Sequence, residues 1–490
     1  MNSFLQILPH LLTGAVFFDM IESTRRKERY PDERGMSKRN MGFKKDFVWG
    51  SATASYQIEG AWNEGGRGLS VWDVFCHEKG HVDEGHTGDV ACDHYHRFRE
   101  DVKLMKELGI KAYRFSISWT RIFPNGVGEV NEEGVRFYSD LLDELLANGI
   151  EPYITLFHWD YPYELYCRGG WLNGESVQWF ADYAAKIAEL YSDRCKNFIT
   201  FNEPQCFIGT GYLTGVHAPG LRVSYKDIFR MCHNVLKAHG AAVIALRANA
   251  KQPLMIGYAP TCNANYPLTE SPEDIEAARK SFFACPPLTR GVMRNASWWS
   301  DPVMLGRYPE DGLALYRDYL PEITEEDMKL ISQPIDFYAQ NIYNGSAITS
   351  DGRGGWAYAP KTVGASKTAI QWSITPECLR WGPRFLYERY GKPVFITENG
   401  MSAHDTVSLD GKVHDPNRID FLHRYLIELE KATDDGADIG GYFLWSFMDN
   451  FEWAKGYTDR FGIVYVDYDT QERIPKDSAY WYRDFIKAHE

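Results

Sequence analysis

The chain has 490 residues, 44% of them hydrophobic and 24% charged, a balance that excludes disorder over most of its length. A formal net charge of −14 without a long Lys/Arg run excludes nucleic acid and anionic membrane surfaces as natural partners. Nine cysteines, with no CxxC pair and no metal-ligand spacing, point to buried thiols in a reducing compartment, so a cytoplasmic location is expected.

At the N-terminus, Phe4 to Phe18 is apolar, but Pro9 and His10 interrupt it and the basic cluster Arg25 to Lys27 follows it. A secretory signal has the opposite order, so residues 1–40 are expected to be a non-catalytic extension and residues 41–490 one catalytic domain. No run reaches about 18 uninterrupted apolar residues, so no membrane span is expected. From Lys44 onward, short β-rich runs alternate with longer amphipathic stretches. The runs are Phe47–Tyr56, Tyr113–Ser118, Pro152–His158, Phe198–Glu203, Leu254–Pro260, Phe337–Tyr343, Val394–Asn399 and Tyr442–Phe447. Helical patterns between them include Asp101–Leu108, Val135–Ala147, Val177–Leu190, Tyr225–Arg247, Pro376–Tyr390 and Arg418–Thr433. Eight strand–helix alternations imply parallel pairing by crossover connections and a closed (β/α)₈ TIM barrel. An open doubly wound sheet is the alternative, but no glycine-rich dinucleotide turn follows the first run. Two connections are long: Thr261 to Pro334, with helical patterns at Pro272–Ser281 and near Asp311–Asp318, and Gly345 to Gln371, which reads as loop. On a barrel both wall the C-terminal face.

Barrel chemistry sits at the C-terminal strand ends. The fourth run ends in Phe201-Asn202-Glu203-Pro204 and the seventh in Thr397-Glu398-Asn399-Gly400, each presenting a carboxylate. The third ends in His158-Trp159, the sixth in Asn341-Ile342-Tyr343, and the eighth leads to Trp445 and Asp449-Asn450-Phe451-Glu452-Trp453. In a closed barrel, strands four and seven stand on opposite sides of the mouth. Two carboxylates facing each other there suit glycoside hydrolysis: about 5 Å apart they permit a covalent intermediate, and a wider gap admits water and gives inversion. Either glutamate alone reads more readily as a surface or ion-paired residue; it is the two together, flanked by Asn at corresponding strand ends, that point to chemistry. His94 and His96, two apart, lack a further ligand at metal spacing, so no metal or cofactor is expected.

The segments Tyr56-Gln57-Ile58-Glu59-Gly60, Phe115-Ser116-Ile117-Ser118-Trp119, Thr200-Phe201-Asn202-Glu203-Pro204, Ile396-Thr397-Glu398-Asn399-Gly400 and Asp449-Asn450-Phe451-Glu452-Trp453 closely resemble glycoside hydrolase family one, in order, from about Gly42 to the end. The resemblance implies Glu203 as general acid/base and Glu398 as nucleophile. It implies Gln57, His158, Asn202, Trp445 and Glu452, with Trp453 beside them, as the groups that hold the non-reducing sugar. It further implies that Arg114 and Tyr343 position the nucleophile, with Asn341 supporting it, and that Trp372 is a platform for the leaving group. The neighbours Gln371 and Ser373 depart from the commonest family wording.

Related enzymes acting on 6-phosphorylated sugars lack the acidic residue seen here as Glu452, and a carboxylate repels phosphate, so an unphosphorylated β-glucoside is expected. The expected function is a retaining β-glucosidase acting on β-glucosides and short β-linked oligosaccharides, with β-galactoside or β-fucoside side activity and transglycosylation. The alternatives are a catalytically silent sugar-binding barrel, a 6-phospho-β-glycosidase and a metal-dependent barrel hydrolase. The leaving-group side is expected from Tyr161–Trp171, Gln205–Tyr212 and the long loops. A homo-oligomer is left open.

Overall fold

The computed structural model describes residues 42–489; the N-terminal extension, residues 1–40, lies outside them. Eight parallel strands form a closed barrel: β1 Val48–Ala52, β2 Ala112–Ser116, β3 Glu151–Phe157, β4 Asn197–Asn202, β5 Met255–Ala259, β6 Phe337–Asn341, β7 Val394–Asn399 and β8 Ile439–Trp445. Each strand pairs with its neighbours in sequence, and β8 closes on β1 with Val48 opposite Gly441 and Ala52 opposite Trp445.

The barrel interior is filled by large rings set against residues without side chains. A Cβ on Gly257 would lie 2.3 Å from the Phe337 ring, and one on Gly440 would lie 2.2 Å from the Phe395 ring. Such large-against-small layering closes the barrel as a packed core rather than a pore. The helices form the outer layer by their apolar stripes. Glu132–Ala147 buries Phe137, Tyr138, Leu141, Leu142 and Leu145, an i, i+4, i+8 face, and Asn131 caps its start through the Glu133 N–H. Truncating Phe137 to Ala costs about 3–5 kcal/mol by cavity formation. Ser176–Tyr191 packs against Tyr225–Asn249, whose first turn is capped by Ser224.

Boundaries differ from the sequence reading where tertiary contacts overrule propensity. The first run ends as strand at Ala52, and Ser55–Ile58 is a helical turn. There the Ser55 N–H donates to Ser116 Oγ (2.7 Å) and its hydroxyl to Asp160 (2.9 Å), drawing the chain off the sheet. β8 starts at Ile439, three residues early, because Gly440 and Gly441 are strand-breaking by propensity but needed beside Phe395. The Gly345–Gln371 stretch, expected to be loop, contains strands Ala347–Ser350 and Trp356–Tyr358, which form a small sheet with Tyr266–Pro267. Helices Ser297–Leu305, Glu325–Ile331 and Asp477–Ala488 carried no assignment; the first has Pro302 inside it. Among the described residues, no helix is long and apolar enough to cross a membrane.

Candidate active site

The two strand-end glutamates stand where the ladder is irregular. The β4–β5 register shifts between Ile199 and Asn202, and the β7–β6 register shifts between Ile396 and Glu398. Such irregularities re-aim side chains at strand ends. Glu203 lies just past β4 with φ 46°, in the left-handed region, before Pro204 opens a short helix. Trp159 (φ 78°) and Trp453 (φ 50°) share that region. Each such non-glycine residue costs about 1 kcal/mol or more, held by its surroundings. Past β7, a Cβ on Gly400 would lie 1.8 Å from the Trp445 carbonyl oxygen, so glycine is required where β7 turns under β8.

Arg114 on β2 is the hub of the polar layer. Its Nη1 donates to Glu398 Oε1 at 2.8 Å and to the Thr397 carbonyl at 3.1 Å. Its Nη2 donates to Asn202 Oδ1 at 2.6 Å, and its Nε to Thr155 Oγ1 at 3.0 Å. A guanidinium only donates, which identifies the Asn202 atom it meets as the carbonyl oxygen. Asn341 Nδ2 approaches the same oxygen at 2.9 Å and also donates to Glu203 Oε1 at 2.8 Å. The remaining Asn202 nitrogen donates to His158 Nε2 at 3.0 Å, which leaves the ring proton on Nδ1. That Nδ1 has no hydrogen-bond partner among the described residues. Burial, followed by the charge of Arg114, holds His158 well below its usual pKa, so the ring is neutral.

The two glutamates therefore sit in unlike surroundings. Glu398 accepts from the Arg114 cation and, through Oε2, from the Tyr343 hydroxyl at 2.7 Å. Glu203 accepts from neutral groups, the Asn341 amide and the Cys206 thiol (2.9 Å to Oε2). Burial pushes both carboxyls above the usual range. A single proton shared by the pair favours Glu203, because the guanidinium directly beside Glu398 favours a charge there. Burial first, then Asp459, Glu398 and Glu203, pushes Glu452 up to about 8.

A cavity of about 420 Å³ opens over this layer. Of the sequence-derived site residues, Glu203, Glu398, His158, Tyr343, Trp372, Trp445, Glu452 and Trp453 line it. Arg114, Asn202 and Asn341 are buried behind it. Gln57 is also fully buried: its Nε2 donates to Asn450 Oδ1 and to the Phe451 carbonyl, both at 2.9 Å, and its Oε1 has no partner among the described residues. Trp445 stacks on His158 with centroids 5.7 Å apart, and Trp453 lies 4.4 Å from Trp159. Trp372 meets the Tyr343 ring edge-on at 5.1 Å.

The leaving-group wall differs from expectation in one of its three segments. No residue of Tyr161–Trp171 lines the cavity; Tyr161 and Trp171 are packed against each other and Phe157 in the aromatic core. Cys206, from the expected Gln205–Tyr212 segment, and Thr261, Cys262, Asn263 and Arg294, from the expected long connection, are in the lining, joined by Asn344 and Phe461. Thr261 and Cys262 follow the end of β5, a position the strand-end rule flags; Arg294 sits deep in a long loop and carries no local signal. His94 and His96 part company: His94 pairs with Asp101 in the core (2.8 Å), while His96 faces Asp93 and Glu64 at the surface.

Comparison with known proteins agrees with this geometry. The chain is 46% identical over 451 residues to beta-glucosidase A of Thermotoga maritima, covering 91% of this chain and 98% of that protein. It is 45% identical over 446 residues to a 1,4-beta-D-glucan glucohydrolase of Thermotoga neapolitana, covering 91% and 98%. The solved structure of a beta-glucosidase from Thermotoga maritima in complex with glucoimidazole superposes with a TM-score of 0.83 at 45% identity, covering 91% of this chain and 99% of that one. The family model for glycosyl hydrolase family 1 matches residues 39–490. With a closed eight-stranded barrel and this match across nearly its whole length, the chain belongs to glycosyl hydrolase family 1.

Proposed function

We propose that the protein is a retaining β-glucosidase that removes terminal β-glucosyl units from aryl or alkyl glucosides and short β-linked oligosaccharides. The observation that carries this reading is the unequal support of the two strand-end carboxyls: a cation and a phenol on Glu398, an amide and a thiol on Glu203. Ionised Glu398 attacks the anomeric carbon, forming a carbon–oxygen bond as the glycosidic bond breaks. Glu203 passes its proton to the departing oxygen. Once Glu398 is an ester its negative charge is gone, and Glu203, now ionised, takes a proton from water as that water attacks the same carbon and frees Glu398. An acceptor sugar in place of water gives transglycosylation.

The sugar is held by groups that lack partners of their own. His158 Nδ1–H is an unpaired buried donor and Gln57 Oε1 an unpaired buried acceptor. Each costs about 1–3 kcal/mol when left unsatisfied, which a ring hydroxyl offsets. Trp445 offers an apolar face to the sugar C–H groups. Glu452, in the same wall, favours neutral hydroxyls over a phosphate; β-galactosides and β-fucosides, which keep most of these contacts, are expected as slower substrates.

The test is nitrophenol release from 4-nitrophenyl β-glucoside and from its 6-phosphate, with the Glu398→Gly variant assayed in added azide. Hydrolysis of the neutral glucoside, near-complete loss in the variant and recovery as the α-glucosyl azide are expected. Recovery of the β-azide reverses the two roles. Preference for the 6-phosphate overturns the substrate assignment, and no hydrolysis of either compound overturns the function.

A further inference from the structure

Among the described residues lining the cavity, Arg294 is the one cation. It is exposed, and no hydrogen bond or ion pair joins its side chain to another described residue. Its backbone is firmly held. Met293 and Asn295 on either side are buried, the Met293 carbonyl accepts from Trp299 Nε1 at 3.0 Å, and Asn295 Oδ1 accepts from the Trp298 N–H at 2.8 Å. The Asn295 carbonyl also accepts from Gln205 Nε2 at 3.4 Å, and Gln205 Oε1 accepts from the Thr261 N–H at 3.3 Å. Gln205 lies two residues beyond Glu203, so this tie fastens the Arg294 loop to the segment that carries the candidate acid. The charge of Arg294 acts on Cys206, whose thiol meets Glu203 Oε2. A general acid faces the oxygen that departs, which puts Arg294 on the leaving-group side.

From this placement we infer a cationic subsite on Arg294 that favours glucosides whose departing group carries an anion, an aryl carboxylate being the simplest. The inference rests on the β-glucosidase reading and names the class of leaving group. Trp372, in the same lining, supplies an aromatic face for a ring, while the Asn263 amide nitrogen is already donating to Asn265 Oδ1 and Ser346 Oγ, which leaves the carboxylate to Arg294. The charge facing an incoming anion is otherwise unfavourable: Glu398, the ionised member of the pair, lines the same cavity. Without a cation on the departing side, a carboxylate there has no charged partner of opposite sign in the lining. Arg suits the task, since its planar fork binds a carboxylate through two parallel hydrogen bonds.

The test uses a matched pair, 4-carboxyphenyl β-glucoside and its methyl ester, with glucose release measured for wild type, Arg294→Ala and Arg294→Lys. Wild type is expected to favour the acid. Arg294→Ala lowers kcat/KM for the acid about tenfold, mainly through KM, and leaves the ester within about twofold. Arg294→Lys restores part of the preference, and salt at about 1 M shrinks it in wild type. An acid-to-ester ratio that does not change in Arg294→Ala overturns the subsite and leaves the glucosidase reading standing. Equal loss on both compounds marks a structural role and also overturns it. Failure of wild type to cleave either compound removes the subsite together with the reading beneath it.

Discussion

Tyr343 gives the cleanest perturbation of the candidate site, because Tyr343→Phe deletes one oxygen and keeps the ring. That hydroxyl donates to Glu398 Oε2 at 2.7 Å, and the ring packs against Trp372 and Phe461 at 5.1 and 6.1 Å. The Tyr343 carbonyl still accepts from the Tyr425 hydroxyl in the variant, so the local backbone keeps its tether. A hydrogen bond to a charged partner contributes about 1.5–3 kcal/mol, roughly one to two powers of ten in an equilibrium or rate. Burial, and then the Glu398 charge, hold the phenol well above its usual pKa, so it donates at every working pH. Losing a donor to the ionised form raises the Glu398 pKa. The acidic limb of kcat/KM for 4-nitrophenyl β-glucoside therefore moves to higher pH by about one to two units, since about 1.4 kcal/mol corresponds to one unit. At the pH optimum the glycosylation rate falls about tenfold or more. A pH profile with an unmoved acidic limb and kcat/KM within twofold of wild type would refute the claim that this hydroxyl keeps Glu398 charged.

In Glu203→Ala, glycosylation by a good leaving group such as dinitrophenol falls far less than by an alkyl alcohol that needs protonation. Equal losses across a leaving-group series count against general-acid assistance. Glu452 is pushed up to about 8 from its ordinary 4.5 by burial and neighbouring carboxyls. Between those values the folded state holds more protons than the unfolded chain, so this group's contribution to stability falls as pH rises through that window. The Tm of Glu452→Gln, relative to wild type, is therefore expected to improve from pH 5 to pH 9. A Tm difference that is the same at both pH values sinks the argument.

Much of the barrel is legible in the chain because its signals are local. Strand runs such as Val394–Asn399 and helical stripes such as Val177–Leu190 are set by apolar periodicity, and the structure places strands or helices there. The strand-end rule then directs attention to Glu203 and Glu398 before any coordinate is known. Where packing overrules propensity the reading fails, as at Gly440 and Gly441, which belong to β8 because the Phe395 ring leaves no room for a Cβ. The Tyr161–Trp171 segment, expected on the leaving-group side, fails differently: the rings of Phe157, Phe180 and Phe201 pack Tyr161 and Trp171 into the core.

Taken alone, the sequence determines which residues stand at the strand ends, since that follows from the spacing of apolar runs and the turn residues after them. The tertiary structure decides what those residues touch. Arg114 and Glu398 are 284 positions apart and meet at 2.8 Å because closing the sheet brings their strand ends to one mouth. That closure gives one glutamate a cation and leaves the other with neutral donors. It also leaves Arg294 on the cavity wall without an ion-pair partner among the described residues. Such pairings depend on distances across the barrel, and no local pattern encodes them.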